Sequence, residues 1–399
     1  MTAAIRQYLV ITGNYWAFTL TDGALRMLVV LHFYQLGYSP LDIALLFIFY
    51  ELFGVVTNLV GGYVGARIGL NRTMNIGLFL QIVALAMLAV PAAMLSVPWV
   101  MAAQAVSGIA KDLNKMSAKS GIKLLVPDEQ QGTLYNWVAI LTGSKNTLKG
   151  VGFFLGGVLL MAAGFKGAVI LMAVALGLVW LASLFLLGQD LGKSKAKPKF
   201  SEILSKSRAI NVLSAARMFL FGARDVWFVV ALPVYLHTVF GWDFWEVGGF
   251  MATWVIGYGF IQTIAPKITG HSHGKTGAVL WAATLSLIPA GIAGALMAGW
   301  SAQWVIVAGL LLFGVLFAIN SSLHSYLIVS YARGDGVSLD VGFYYMSNAA
   351  GRLLGTVLSG WVYQVYGLEA CLWISSGLVA TAALLSMMLP EKRPVMVGQ

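Results

Sequence analysis

Twelve apolar segments follow one another along the chain, each long enough to cross the hydrocarbon core of a bilayer, which takes about 20 residues. They lie at roughly 8–35, 42–66, 73–93, 98–119, 131–163, 165–187, 209–239, 243–267, 276–297, 302–331, 340–366 and 368–389, between polar or glycine- and proline-marked breaks. Inside lipid every backbone N–H and C=O must find its partner within the chain, so segments of this length are expected to be helices. Only 10% of the residues are charged, against about 25% in soluble domains. The fold class expected is therefore an all-α integral membrane protein with twelve transmembrane helices. The stretch from Tyr8 to Tyr34 is too long for the apolar core of a signal peptide and runs straight into a second apolar stretch, so the first helix is expected to stay in the mature chain.

Lysine and arginine in short loops mark the cytoplasmic side. One set of loops holds Arg67 and Arg72, Lys123, Lys193, Lys195, Lys197, Lys199, Lys206 and Arg208, Lys267 and Lys275, and Arg333. Arg6 stands near one terminus, with Lys392 and Arg393 near the other, whereas the opposite loops hold only Lys166. Both termini are thus expected in the cytoplasm, in a multi-pass protein of the cell inner membrane. The net charge of +10 is largely this loop bias, and with no soluble basic domain a nucleic-acid partner is not expected.

The longest break, QDLGKSKAKPKFSEILSKSR at 189–208, follows the sixth span. It divides the chain into an N-terminal six-helix bundle (1–188), a basic cytoplasmic linker (189–208) and a C-terminal six-helix bundle (209–399). The linker's charge also suits anionic lipid headgroups. The halves echo one another. Lys149-Gly-Val-Gly152 followed by Gly156 and Gly157 parallels Arg352-Leu-Leu-Gly355 followed by Ser359 and Gly360, and Leu31-His-Phe-Tyr34 parallels Leu232-Pro-Val-Tyr235. Two related halves with a site near the midplane are the plan of many secondary transporters. In spans the glycines Gly152, Gly156 and Gly157 are expected to let helices pack closely.

Ionisable residues inside a span cost about 2.5–3.5 kcal/mol each on insertion scales, so they face protein or a wet cavity. Here they are Asp22 and Arg26 in the first span, Glu51 in the second, and Lys111, Asp112 and Lys115 in the fourth. Lys145 and Lys149 lie in the fifth, Arg217, Arg224 and Asp225 in the seventh, and Arg352 in the eleventh. Asn320 and His324 add a polar face to the tenth, and Trp254, Tyr258 and Gln262 to the eighth. Spans three, six, nine and twelve carry none in their cores, the division expected if these face lipid and the others line a cavity. The pattern, with the loop Gly62-Tyr-Val-Gly-Ala66-Arg67-Ile-Gly69-Leu-Asn71-Arg72, resembles the major facilitator superfamily and its GxxxDRxGRR-type motif. Ala66 replaces the motif's aspartate, which puts that acid's gate contact in doubt.

Residues four and seven apart share a helix face. Lys111 aligns with Lys115, Lys145 with Lys149, Arg217 with Arg224, Asn320 with His324, and Tyr345 and Asn348 with Arg352. Asp22 and Arg26 are placed to neutralise each other. The span interiors hold the bases Arg26, Lys111, Lys115, Lys145, Lys149, Arg217, Arg224 and Arg352 against the acids Asp22, Glu51, Asp112 and Asp225. Unpaired charge in a low-dielectric site is costly until a ligand of opposite sign arrives. The cargo expected is a multivalent organic anion, gripped by planar guanidinium forks and ammonium point charges. About a third of the set is assigned to salt bridges closing gates, with Lys115, Arg67 and Arg217 the gating candidates. The single cysteine, Cys371, offers no thiolate pair for a soft metal. His271 and His273 lie in a glycine-rich loop, so no metal site is expected, and the absence of a GxxxxGK[ST] loop leaves no ATP site. No cofactor is expected, and no nucleophile, acid and base can be assembled into an enzyme.

The strings GNYWAFTLTDGALRMLVVLHF (13–33), FYELFGVVTNLVGG (49–62), SGIAKDLNKMSAKS (107–120) and LTGSKNTLKGVGFFLGG (141–157) resemble the ArsJ family of organoarsenical efflux permeases. That resemblance implies export of 1-arseno-3-phosphoglycerate, which forms when glyceraldehyde-3-phosphate dehydrogenase uses arsenate in place of phosphate. It also implies arsenate resistance and a functional link to that enzyme. Within this reading Lys111, Lys145 and Lys149 face one oxyanion, Arg224 and Arg352 the other, and Arg26 joins either group. Tyr345, Asn348, Asn320 and His324 complete the binding set. The potential favours export of an anion by roughly 2.3 kcal/mol per charge per 100 mV, so uniport suffices. Proton antiport would use Asp22, Glu51 or Asp225, with Glu51 preferred because no arginine adjoins it in sequence. An organophosphate/phosphate exchanger and a non-transporting scaffold are the alternatives. The chain is expected to act as a monomer beside lipid and its anionic substrate.

Overall fold

The computed structural model describes residues 3–38, 46–188, 191–194, 204, 206–270 and 274–390. Lys195, Lys197, Lys199, His271, His273, Lys392 and Arg393 lie outside them. Among the described residues the secondary structure is helical throughout. The helices are α1 (Ala3–Gln35), α2 (Ile48–Ile68), α3 (Leu70–Leu88) and α4 (Val97–Leu125), then α5 (131–163) and α6 (165–186), which meet at Gly164. Next come α7 (Arg208–Phe228), α8 (Ala231–Phe240), α9 (Phe244–Thr269), α10 (Lys275–Met297) and α11 (Ala302–Tyr331). The last pair, α12 (337–366) and α13 (368–386), meets at Gly367.

Among the described residues eight helices are long and apolar enough to cross a membrane, counting Gln131–Leu186 and Val337–Ser386 once each and joining α7 to α8. The two long ones break where a glycine takes a positive φ, 66° at Gly164 and 81° at Gly367, so each supplies two spans. Helices α1 and α4, of 33 and 29 residues, are long enough to span but not apolar enough for that set. Together these account for the twelve spans. The internal repeat also shows in the backbone. Positive-φ glycines recur roughly 200 residues apart at matching joints, Gly37 with Gly241, Gly69 with Gly270, and Gly164 with Gly367.

By backbone contacts the chain forms two compact units. Unit 1 comprises Met1–Pro127, Ser144–Ser205 and Ala332–Met346. Its central helix is α4, against which α1, α2 and α3 pack. The glycines of α5 work as close-packing points: a Cβ at Gly152 would lie 2.8 Å from the Leu20 carbonyl oxygen, and one at Gly156 would strike that of Ala24. Gly157 has only a Leu31 methyl, 3.7 Å away, so its lack of a side chain is not required by α1.

Unit 2 comprises Asp128–Gly143, Lys206–Tyr331 and Ser347–Gln399. Its core holds Trp227, Trp254, Phe313 and Phe317. The Trp254 indole N–H donates to the Leu310 carbonyl at 2.9 Å, tying α9 to α11. The α7–α8 break has a local cause. Pro233 has no N–H to give the carbonyl four residues earlier and its ring crowds that turn, and Val230 leaves helical geometry at φ −120°. The freed amides of Val230 and Ala231 donate to Ser359 Oγ at 3.3 and 3.1 Å.

Candidate functional site

In unit 1 the charged residues of three helices meet around one aromatic ring. Tyr50, at the start of α2, is 2% exposed. Its hydroxyl donates to the Asp22 carboxylate on α1, 2.7 and 2.9 Å from the two oxygens. Over the ring stand the Arg26 guanidinium, 4.5 Å from the centroid, and Lys111 Nζ at 3.8 Å. Such cation–π contacts contribute about 0.5–2 kcal/mol each. Arg26 donates to Glu51 at 3.0 Å. On α4, buried Asp112 accepts from Lys115 at 2.6 Å and lies 3.9 Å from Lys111. Lys115 and Lys119 both stand over the Tyr345 ring, at 4.7 and 5.0 Å. The result is a continuous polar chain from Glu51 through Arg26, Tyr50, Lys111, Asp112 and Lys115 to Tyr345.

The i,i+4 spacing that suggested an Asp22–Arg26 pair is overruled by α2. Tyr50 takes Asp22 and Glu51 takes Arg26, because neighbouring residues of the second helix reach both. Glu51 therefore has an arginine partner after all, which removes the ground for preferring it as a proton carrier. Lys119 had no place among the candidates, yet it is 3% exposed and continues the Lys111, Lys115 stripe one further turn. The four-residue repeat was the signal for it. Tyr50 was missed because aromatic residues in a span are ordinary core.

Lys145 and Lys149 lie on α5 in the same unit, partly exposed. Lys145 donates to Asn146 Oδ1 at 3.3 Å, and Lys149 stands 6.0 Å from the Phe153 ring. The α5 turn that carries Lys149 packs against α1 beside Asp22, since a Cβ at Gly23 would lie 2.8 Å from the Lys149 carbonyl oxygen. Arg67 is exposed and donates to the Tyr63 hydroxyl at 2.8 Å.

Unit 2 repeats the theme with arginine. Asp225, fully buried, accepts from Arg224 Nε at 2.6 Å and from Arg352 Nε at 3.1 Å. One carboxylate thus serves two guanidiniums, as Asp112 serves two ammoniums, and each group keeps a net positive charge. Arg217, 3% exposed, donates to Asn348 Oδ1 at 2.9 Å and to the Ser321 carbonyl at 3.2 Å, and lies 3.8 Å from the Phe221 ring. His324 is fully buried, and neither ring nitrogen has a hydrogen-bond partner among the described residues. Asn320 is spent elsewhere: its amide donates to the Trp281 carbonyl at 2.9 Å, holding α11 to α10. The expected stripe Tyr345, Asn348, Arg352 is divided, Tyr345 belonging to unit 1 and the other two to unit 2.

Two close contacts join helices of the first half of the sequence to helices of the second. Within unit 1, α2 touches α12, where Ser338 Oγ donates to the Gly62 carbonyl at 2.8 Å. A Cβ at Gly342 would lie 2.5 Å from the Asn58 carbonyl oxygen and 3.0 Å from Gly62 Cα. Within unit 2, α5 touches α9, where a Cβ at Gly143 would strike the Gly259 carbonyl and lie 2.5 Å from the Thr263 nitrogen. The first turn of α5 also engages α11, Gln131 Oε1 accepting from Tyr326 and Ser330, both at 3.0 Å.

No curated relative matches the chain. Among solved structures it is similar to the human organic anion transporter MFSD10 (TETRAN), with a TM-score of 0.77 at 16% identity over 97% of this chain and 100% of that one. A bacterial homologue of the iron transporter ferroportin in an outward-facing state gives 0.75 at 13% identity, over 97% of this chain and 98% of that one. The E. coli fucose:proton symporter FucP gives 0.77 at 12%, over 98% and 100%. At such identities the likeness shows the fold alone. The sequence profile of the Major Facilitator Superfamily matches residues 11–339, most of the chain, and the chain belongs to that superfamily.

Proposed function

We propose that this transporter exports a multivalent organic anion by alternating access, and that the anion is 1-arseno-3-phosphoglycerate. The observation that carries the anionic cargo is the sharing of acids: Asp112 lies between two lysines and Asp225 between two arginines. In each of these two groups one carboxylate is shared by two cations, a surplus of positive charge that an anionic ligand would offset. Arg26 Nε, buried and without a hydrogen-bond partner among the described residues, is a donor in wait of an acceptor. One similar structure is itself described as an organic anion transporter. The arsenical rests on the resemblance of the four strings quoted above to the ArsJ family.

In this reading the candidate anion-binding groups are Lys111, Lys145 and Lys149 with Arg26 in unit 1, and Arg224 and Arg352 with Asn348 and His324 in unit 2. Lys115 is held by Asp112 and Tyr345, and Arg217 by Asn348 and Ser321, so both suit positioning and gating. The contacts of Gly62 with Ser338 and Gly342, and of Gly143 with Gly259 and Thr263, are assigned by loop charge to the cytoplasmic half of the membrane. Their close packing is the closed position of a cytoplasmic gate, and the two six-helix halves of the sequence, joined by the 189–208 linker, move as the gate opens. Both termini then lie in the cytoplasm, at the inner membrane.

The test is counterflow in proteoliposomes. Vesicles loaded with a three-carbon phosphate ester should accumulate labelled ester from outside. Inorganic phosphate, which lacks the second anionic end, should support less than a tenth of that exchange. Equal exchange with inorganic phosphate would favour the organophosphate/phosphate exchanger. No exchange of any anion would end the reading.

A further inference from the structure

A cavity of about 570 Å³ lies in unit 1 between the start of α3 and the end of α6, and none of the charged chain around Tyr50 lines it. Its volume falls in the ordinary range for small-molecule sites. One end is polar, lined by Asn71, Arg72 and Asn75, and the other is apolar, lined by Phe79, Trp180 and Leu184 among others. A second cavity, about 290 Å³, shares Phe79 and Trp180 with the first and continues along the same two helices past Ile82, Val174 and Leu178. Together they make one groove, polar at its mouth and apolar for the rest of its length. From Arg72 to Ile82 the groove follows ten residues of α3, about 15 Å at 1.5 Å per residue. That is half of a hydrocarbon core of about 30 Å, or one leaflet.

The mouth is built to attract an anion. Helix α3 begins there at Leu70, after Gly69, and no side chain caps it. The Leu70 amide is used by the Leu191 carbonyl at 2.7 Å, and the first intrahelical bond comes from Thr73 to Gly69. The positive end of the helix, at Asn71 and Arg72, lines the mouth, where the Asn71 side-chain amide donates to the Gly188 carbonyl. Asn75 spends its oxygen on Ser183 at 2.6 Å, so its two N–H donors remain. Lys193 is brought to the same place, because the residues on either side of it bond α2 and α3: Leu191 accepts from Leu70, and the Ser194 amide donates to the Ala66 carbonyl at 2.8 Å. By the loop-charge rule this mouth lies at the cytoplasmic headgroup level.

We propose that the groove is a binding site for an anionic phospholipid of the cytoplasmic leaflet. The phosphate sits at Arg72, the Asn75 amide and the α3 N-terminus, and one acyl chain lies along Phe79 and Trp180. Gly177, whose missing side chain meets nothing within 4 Å, keeps the apolar part open. The site is separate from the transport reading and stands or falls without it.

The experiment is native mass spectrometry of the full chain titrated with dioleoyl-phosphatidylglycerol or dioleoyl-phosphatidylcholine. The native chain should bind the anionic lipid at least tenfold tighter. Arg72→Gln, an exposed substitution, should reduce that preference below threefold. Gly177→Leu, which fills the groove, should weaken both lipids at least fivefold. A Lys195→Gln, Lys197→Gln, Lys199→Gln variant should keep the preference, and millimolar glycerol phosphate, which has no chain, should not displace the lipid. Equal binding of the two lipids, an unchanged Arg72→Gln, or loss of the preference in the linker variant would overturn the proposal. Displacement by glycerol phosphate would also overturn it, by showing a headgroup site alone.

Discussion

Replacing Gly342 with alanine should shift the conformational balance of the transporter. The new methyl carbon would lie 2.5 Å from the Asn58 carbonyl oxygen and 3.0 Å from Gly62 Cα. A carbon meets a carbonyl oxygen comfortably at about 3.3–3.6 Å, so α2 and α12 must part by about 1 Å. Both obstacles are backbone, and no side-chain rotamer relieves them. Overpacking of this kind costs about 1–3 kcal/mol. The cost falls only on the state in which the two helices touch, and a bias of that size changes a two-state ratio about 5- to 150-fold. Spin labels at positions 68 and 334, in a Cys371→Ser background, report the separation by pulsed electron resonance. The longer-distance population should rise at least fivefold in Gly342→Ala. It should stay unchanged in Gly157→Ala, where the nearest neighbour is 3.7 Å away. An unaltered distance distribution in folded Gly342→Ala would refute the gate.

Asp225→Asn removes the carboxylate that holds Arg224 and Arg352. Losing one partner of a buried ion pair costs about 3–5 kcal/mol, and the melting temperature in detergent should fall clearly below that of an Arg352→Gln variant. Ser359→Ala takes the acceptor from the Val230 and Ala231 amides at the α7–α8 break. It should destabilise by about 1–3 kcal/mol, read as a loss of hydrogen-exchange protection at those amides. Tyr50→Phe deletes the phenol that donates to Asp22 while keeping the ring under Arg26 and Lys111. The variant should fold but lose at least tenfold in transport rate, whereas Tyr50→Leu should lose stability as well.

The spans were legible because their length and apolarity are imposed by the bilayer, and the joints at Gly164 and Gly367 fall between the fifth and sixth and the eleventh and twelfth expected segments. Which charges would meet was not. Helical spacing puts Asp22 beside Arg26 but says nothing of a second helix, and α2 places Tyr50 and Glu51 within reach of both. Spacing likewise grouped Asn320 with His324, although the Asn320 amide turns to a carbonyl of α10. The stripe from Tyr345 to Arg352 looked like one surface, yet the two ends belong to different units. The break before Pro233 had a signal in the sequence, a proline within an apolar run. Its partner Ser359, more than a hundred residues away, had none.

The most direct test of the central claim is uptake of radiolabelled 1-arseno-3-phosphoglycerate into inverted membrane vesicles carrying the native chain, Lys149→Gln or Arg352→Gln, at matched expression. The native chain should accumulate the label above vesicles without the protein, and each substitution should reduce the initial rate at least tenfold. Native vesicles that gather no more label than empty ones, or variants that transport at the native rate, would contradict an anion cargo held by these cations.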